Sequence, residues 1–409
     1  CSLPICYYIR QANWTEALLS WQKALKLPYS ESIWIHLWFW SKVVRPLDYS
    51  VDLKNIANSP LKSFINYLHQ LPSDKFWDAE KFKKLDKNAE ILQTYQETFW
   101  LRLLQSLQDK DYKQSFDLIA FNPFRKTSFR PDLERAIALM VQYKLEGNFL
   151  LTDALKNDLS SNVEPSLLIP VQNHQLMRLL DIDSPPTLLT PSVQKLFESS
   201  SAFSVLLASG GWFNASLNLH FPEKVSEDWP TFVSFTLTQA IRVVKGNDKA
   251  IEFALKQPKT DDLDYLIGEL YSSVGKEGEA EKYFDPLIKK TTPAGIKAAW
   301  SLVLIKINEK DYEGAELIIR SNAALKDSVL GKELNARIAV LNDKPDVAFE
   351  RYSEIRDRSY EAKAYIAEYY INHNQWNDAR KIVTDLKVQF PENPNVDALY
   401  QKVLNHFNQ

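Results

Sequence analysis

The chain has 409 residues, of which 45% are apolar and 25% charged, with 49 basic against 52 acidic residues and a net charge of −3. That balance excludes a disordered chain, and it argues against a general nucleic-acid binder, which carries a clear positive excess. Only 10 residues are Gly, and none of them form the glycine patterns of dinucleotide or P-loop phosphate sites, so those sites and a turn-rich all-β fold are disfavoured.

The chain opens on Cys1-Ser2-Leu3-Pro4-Ile5-Cys6. A chain numbered from a Cys resembles a mature bacterial lipoprotein, in which signal peptidase cuts before the cysteine and the thiol carries a diacylglycerol. The resemblance implies lipidation at Cys1 and a body facing the periplasm of a bacterial cell envelope. Ser2 is compatible with transport to the outer membrane. The other reading is a boundary that happens to fall on a cysteine. With Cys1 acylated, Cys6 is the one remaining thiol and no internal disulfide forms. A Cys1–Cys6 loop is the alternative and would stabilise little. Neither thiol has a His at zinc-ligand spacing.

Along the chain, Trp14 to Ala24, ended by Pro28, has helical spacing. The apolar run Ile33 to Trp40 is broken by His36 and ended by Ser41-Lys42, far short of the ~18 apolar residues of a spanning helix, and predicts a buried helix. Phe99 to Leu107 is a further helix, followed by a polar turn at Lys110-Asp111 and a stop at Pro123. Arg130-Pro131-Asp132 to Leu145 predicts a helix with Pro in its first turn. Seven of the eleven Trp precede residue 101, and packing between helices explains them better than a ligand platform. Residues 158–200 hold Pro165, Pro170, Pro185, Pro186 and Pro191, a density that prevents a continuous helix apart from a short one over Val171 to Leu180.

The strongest pattern is a repeat in the second half. Ala215, Ala250, Ala280, Ala315, Ala348 and Ala379 recur at intervals of 30 to 35 residues, each after a polar turn. The turns include Gly211-Trp212-Phe213-Asn214, Lys310-Asp311-Tyr312 and Asn374-Gln375-Trp376. A small residue on the preceding helix (Gly268, Ala336, Ala367) lets two antiparallel helices approach closely. Here the sequence resembles the tetratricopeptide-repeat (TPR) family, best over residues 359–394 and 262–293. Val303 and Asn335 depart from the pattern. Residues 14–28 and 99–123 resemble weaker copies, with Ser115 in place of Ala. The resemblance implies an all-α fold, an α-solenoid of TPR-like hairpins that is regular in the C-terminal half and degenerate in the N-terminal half. The expected organisation is a Trp-rich helical domain over 1–157, a Pro/Ser-rich irregular segment over 158–200 and a superhelix over 201–409.

The residues hold no recognisable catalytic constellation. The six His (36, 69, 174, 220, 373 and 406) are never three or four apart, which predicts no metal site, and no cofactor motif occurs. The acid-flanked run Lys81-Lys83-Lys84-Lys87 and the alternation of Glu277, Glu279 and Glu281 with Lys276 and Lys282 predict solvated helix faces. In the TPR family the first helices of the pairs line a concave face that binds another polypeptide. The resemblance therefore implies a non-enzymatic scaffold or adaptor with a protein or peptide partner, a lipid-anchored membrane association and no nucleic-acid ligand. By helical register the groove residues are Tyr265, Glu269, Trp300, Leu304, Glu333, Arg337 and Glu368. Pilus or secretion machinery, outer-membrane assembly and regulation of peptidoglycan synthases are the envelope roles such lipoproteins serve. A soluble adaptor or secretion chaperone without lipid, and less so an enzyme with its site outside the repeats, remain the alternatives.

Overall fold

A computed structural model describes residue 20 and residues 31–45, 59–125, 127–147 and 190–408. Cys1, Cys6, Trp14, Trp21, the predicted helices over 14–24 and 171–180, and residues 158–189 of the expected irregular segment lie outside these. The described residues contain helices and no strand. None of those helices is long and apolar enough to cross a membrane. The chain forms two compact units, Cys1–Thr260 and Asp261–Gln409.

The first unit contains α1 (Glu31–Val43), α2 (Pro60–Gln70), α3 (Ala79–Lys83), α4 (Lys87–Leu92), α5 (Gln96–Gln108), α6 (Tyr112–Ala120), α7 (Pro131–Glu146), α8 (Pro191–Glu198), α9 (Ala202–Ser209), α10 (Phe213–Asn218), α11 (Val233–Lys245) and α12 (Asn247–Ala254). The apolar run of α1 is buried, with Trp34, Ile35, Trp38, Phe39 and Trp40 all below one-tenth exposure. Trp40, Trp100 and Trp212 meet edge to face around Phe39 and Phe129, with the Trp100 and Trp212 ring centroids 4.7 Å apart. These described tryptophans are core. Quadrupolar ring edges favour such arrangements beyond their area alone.

The break between units falls after Thr260, and not near 201, because polar ties bind α9 and α10 to earlier helices. The buried Arg130 guanidinium donates to the Gly210 carbonyl (2.7 Å). The Asn214 side-chain amide donates to the Lys42 carbonyl (2.6 Å), and its backbone N–H to the Val44 carbonyl (3.0 Å). Pro191, one of the prolines expected to disrupt helix, opens α8 at its first turn, where a missing N–H costs nothing.

The second unit is a stack of four helical hairpins and a closing helix. The pairs are α13 (Asp261–Ser273) with α14 (Glu277–Phe284), α15 (Pro293–Asn308) with α16 (Tyr312–Ser321), α18 (Val329–Leu341) with α19 (Pro345–Ser353), and α20 (Tyr360–Asn372) with α21 (Trp376–Gln389). A short helix, α17 (Ala323–Lys326), separates the second and third pairs. Helix α22 (Pro394–Phe407) covers the last pair with Val396, Leu399 and Val403. A terminal element of this kind shields an apolar face that the next repeat would otherwise cover. First helices begin where the sequence supplies caps: Thr292, Ser328 and Ser359 each accept from the backbone N–H three residues on, worth about 1 kcal/mol apiece.

Six hairpins, four here and two in the first unit (α5/α6 and α9/α10), close with one turn. The first helix ends, the chain passes through a left-handed residue, and the second helix starts two residues later. The left-handed residues are Lys110, Gly211, Gly275, Lys310, Asp343 and Asn374, with φ between 53 and 80°. In every case the N–H of the next residue donates to a carbonyl five residues back, at 2.8–3.0 Å, from Asp111 onto Ser106 to Gln375 onto Tyr370. This is the Schellman closure, which satisfies carbonyls orphaned at a helix end. The tripeptide Lys-Asp-Tyr occurs at 110–112 and 310–312 in the same conformation, with Asp111 and Asp311 each accepting from the N–H three residues on at 2.9 Å.

In each of these hairpins two residues twelve apart hold the same place relative to the turn: Leu103 and Ser115, Ser204 and Ser216, Gly268 and Ala280, Val303 and Ala315, Ala336 and Ala348, and Ala367 and Ala379. All are buried. The hairpin at Gly211 corrects the sequence register by one residue. Ser216, not Ala215, occupies the equivalent place, and its hydroxyl lies 3.2 Å from that of Ser204. A hydroxyl pair stands there in place of alanine, and in the first hairpin Ser115 also meets a hydroxyl, that of Ser106 one turn nearer the bend (2.8 Å).

Gly268 shows how tightly one such position can be filled. A Cβ there would lie 2.3 Å from the fully buried Phe284 ring. Helix propensity favours Ala over Gly by about 1 kcal/mol, while overpacking a filled site costs about 1–3 kcal/mol. Gly268→Ala is therefore expected to destabilise the protein by on the order of 1 kcal/mol, read as a lowered Tm in thermal unfolding; an unchanged or raised Tm would mean the ring yields freely.

Candidate protein-interaction surface

The Schellman turns put the first helices of the second unit in a common register, so residues at equal distances from the small contact residue are structurally equivalent. Three residues before it stand Tyr265, Trp300, Glu333 and Ala364. One residue after it stand Glu269, Leu304, Arg337 and Glu368. All seven predicted groove residues thus fall on two equivalent positions, one turn apart on the same helix face.

Their environments differ. Tyr265 and Trp300 are half-buried, with their bodies against the core formed by α14, α15 and α16. Leu304 is 37% exposed and Glu368 is exposed. Glu333 accepts from the Ser359 hydroxyl of the next first helix, so its carboxylate helps cap α20. Arg337 forms a two-pronged pair with Glu361, also on α20. Glu361 accepts a third hydrogen bond, from the buried Tyr352 hydroxyl (2.6 Å). Burial alone would push the Glu361 carboxyl up, but the bonds from Arg337 and Tyr352 outweigh it and hold the group below the ordinary carboxylate value. Burial and the bond to Glu361 push the Tyr352 phenol up.

A third equivalent position, six residues before the contact residue, was not singled out by the sequence reading. It holds Asp262, Lys297, Leu330 and Glu361. The Lys297 ammonium sits 5.7 Å from the centre of the Tyr265 ring, and Glu361 holds Arg337. The positions equivalent to Arg337 and Glu361 in the preceding pair of hairpins hold Leu304 and Leu330, which is 42% exposed. The face therefore carries an apolar centre of Trp300, Leu304 and Leu330, bounded by Tyr265 and Lys297 on one side and by the Arg337–Glu361 pair on the other. The signal for these partners is present in the sequence, but it emerges only once the register is fixed by the turns.

Other candidate chemistry resolves into structure. In the Trp-rich region His36 Nδ1 lies 2.7 Å from a Glu97 carboxylate oxygen, and the Trp40 indole N–H donates to His36 Nε2 at 2.7 Å. Indole is a donor only, so Nε2 is the acceptor and Nδ1 carries the proton. Both ring nitrogens are taken up within the protein, and the triad clamps α1 to α5. Glu281, expected on a solvated face, instead accepts from Lys306 of the next hairpin (2.6 Å). The described residues include no group of three side chains that could hold a metal ion. Cys1 lies outside them.

No protein-family model matches the sequence, and no curated protein matches it. A similar solved structure is a chain of the crystal structure of the APC/C hetero-tetramer Cut9-Hcn1, 13% identical, covering 98% of this chain and 88% of that one with a TM-score of 0.35. The assignment of a TPR-like helical repeat rests on the hairpins themselves.

Glu361 gives this face a pH signature. Its carboxyl is held below its unfolded value, so the ionised group stabilises the fold above pH 4.5 and that contribution disappears as pH falls through the folded value. Glu361→Gln should lower the urea midpoint at neutral pH, with the gap to the parent protein closing below pH 4.5; a gap independent of pH would remove the charge from the explanation.

Taken together, the repeating hairpins and their shared turn give this chain the fold of a TPR-like helical repeat, with aromatic, aliphatic and paired charged side chains at equivalent positions of its first helices.

Proposed function

We propose that the second unit binds a partner polypeptide along its first helices, with Trp300, Leu304 and Leu330 as the apolar anchor and Glu269, Lys297, Arg337, Glu361 and Glu368 as the polar margin. The observation that carries this reading is the alignment of half-buried Tyr265 and Trp300 with exposed Leu304 at repeat-equivalent positions. Partly exposed aromatic residues held rigidly by a core give large contact area at small entropic cost, and Trp, Tyr and Arg dominate measured binding hot spots. The polar margin sets orientation and excludes wrong partners.

Leu304→Glu with Glu269→Lys is expected to abolish recovery of the partner by crosslinking from native membranes, because it charges the anchor and reverses a margin charge without touching the core. Tm should change little, since both residues are at the surface. The same complex recovered at the same yield from a folded double variant would place the partner on another face.

The second part of the proposal is that this scaffold acts in a bacterial cell envelope as an outer-membrane lipoprotein facing the periplasm. Two acyl chains give stable anchoring where one gives marginal binding, and a tethered groove searches a surface instead of a volume. Cys1→Ala is then expected to shift the protein from the membrane fraction to the soluble one, with the N-terminal peptide losing the mass of the lipid. An unmodified N-terminal peptide in the parent protein would favour the soluble adaptor.

A further inference from the structure

A cleft of about 500 Å³ opens between α16, α17, α18 and α19. Each of these four helices sends one cation to it: Arg320, Lys326, Lys332 and Arg351. The unit as a whole holds more acids than bases, so this concentration runs against its overall charge. Lys332 and Asn335 lie roughly opposite Glu333 and Arg337 around α18, which separates the cleft from the face formed by the first helices.

The cleft occurs where the repeat pattern is broken. Residues one before the small contact are Ile267, Leu302 and Ile366 in the other hairpins, all buried, but Asn335 here, and Asn335 lines the cleft. Residues three after the second contact are Tyr283, Ile318 and Ile382 elsewhere, but Arg351 here. Two apolar positions have thus become polar at one site, at the expense of inter-repeat packing. Local departures of this kind concentrate at functional sites.

The scaffold beneath the cleft is fixed. The side-chain amide of fully buried Asn322 donates to the Ile288 and Lys290 carbonyls (2.8 and 3.2 Å), while its oxygen caps α17. The end of α17 lies so close to α18 that a Cβ on Gly331 would meet the Leu325 carbonyl oxygen at 1.9 Å. Lys326 is therefore held on a rigid turn, and among the described residues it reaches no carboxylate. Arg351 donates to Glu316 (2.8 Å) and to the Asn335 carbonyl (2.6 Å), and Arg320 donates to the second Glu316 oxygen (2.9 Å). Lys332 pairs only with Glu354, whose side chain is 60% exposed. Glu316, Glu354 and Asp327 leave the four cations with a positive surplus, and the Lys332–Glu354 pair is of the exposed kind that contributes little and exchanges readily.

We infer that this cleft is an oxyanion site, taking carboxylate groups of an acidic peptide segment or free phosphate. The two arginines, oriented by Glu316 and Asn335, form its back wall, and Lys326 and Lys332 are the groups free to close on the anion.

The test uses the full chain at low salt. A fluorescent peptide rich in Asp and Glu is titrated by anisotropy, and inorganic phosphate by calorimetry. Saturable binding is expected, weakening several-fold as salt is raised, because screening acts on exposed charges. Lys326→Glu with Lys332→Glu should reduce affinity about tenfold or more, while Lys282→Glu on another hairpin leaves it unchanged. If the Glu variants do not fold, Lys326→Gln with Lys332→Gln should still give a clear loss. Peptide binding with weak phosphate binding identifies the peptide as the source of the anion, and the reverse identifies phosphate. Saturable binding of neither, or equal binding by a folded double variant, overturns the assignment.

Discussion

The structure depends on one kind of contact, the close packing of two antiparallel helices at buried positions, residues twelve apart among them. It sets how near the helices come, and the left-handed turn between them sets their register. Gly268 lies under the Phe284 ring, which stands one turn beyond Ala280 on the partner helix. Where the contact is Ala on Ala, as at Ala336 and Ala348, the same geometry follows with ordinary packing. Where it is Ser on Ser, as at Ser204 and Ser216, a hydroxyl pair fills the space and satisfies itself. The turn tolerates Lys, Asp and Asn in the left-handed region because its two backbone hydrogen bonds and the packing on either side offset a strain of roughly 1–2 kcal/mol.

A constant register has a consequence for surface chemistry. Side chains on successive first helices fall at equivalent positions, so the positions that hold the Arg337–Glu361 ion pair hold Leu304 and Leu330 one hairpin earlier. The core determines which positions face outward, and those positions hold side chains as different as Leu304 and Arg337. Departures from the pattern then divide into two kinds. Val303 replaces a small residue but is absorbed as core. Asn335 and Arg351 replace apolar residues and are not absorbed, and they meet at one cleft.

Much of this was legible in the sequence. The alanine recurrence and polar turns gave the hairpins, the run Ile33 to Trp40 gave a buried helix, and the aromatic excess before residue 101 gave core, as Trp34, Trp38, Trp40 and Trp100 show. The two surface positions followed from helical register alone. Partners that lie far apart in the chain were not legible. The His36–Glu97 pair spans 61 residues and the Asn214 tie to Lys42 spans 172. Neither leaves a local pattern, since a lone His on an apolar run looks the same whether or not a carboxylate awaits it.

The sequence by itself determined that the chain is helical and that its second half repeats, because those follow from periods of three to four residues and from spacing within one hairpin. Only the tertiary structure decided that Ser216 rather than Ala215 meets Ser204, that Glu333 and Arg337 engage the following helix, and that the compact units divide after Thr260. These depend on how whole hairpins are offset against one another. That offset is set by the sum of many buried contacts, which no short stretch of residues carries.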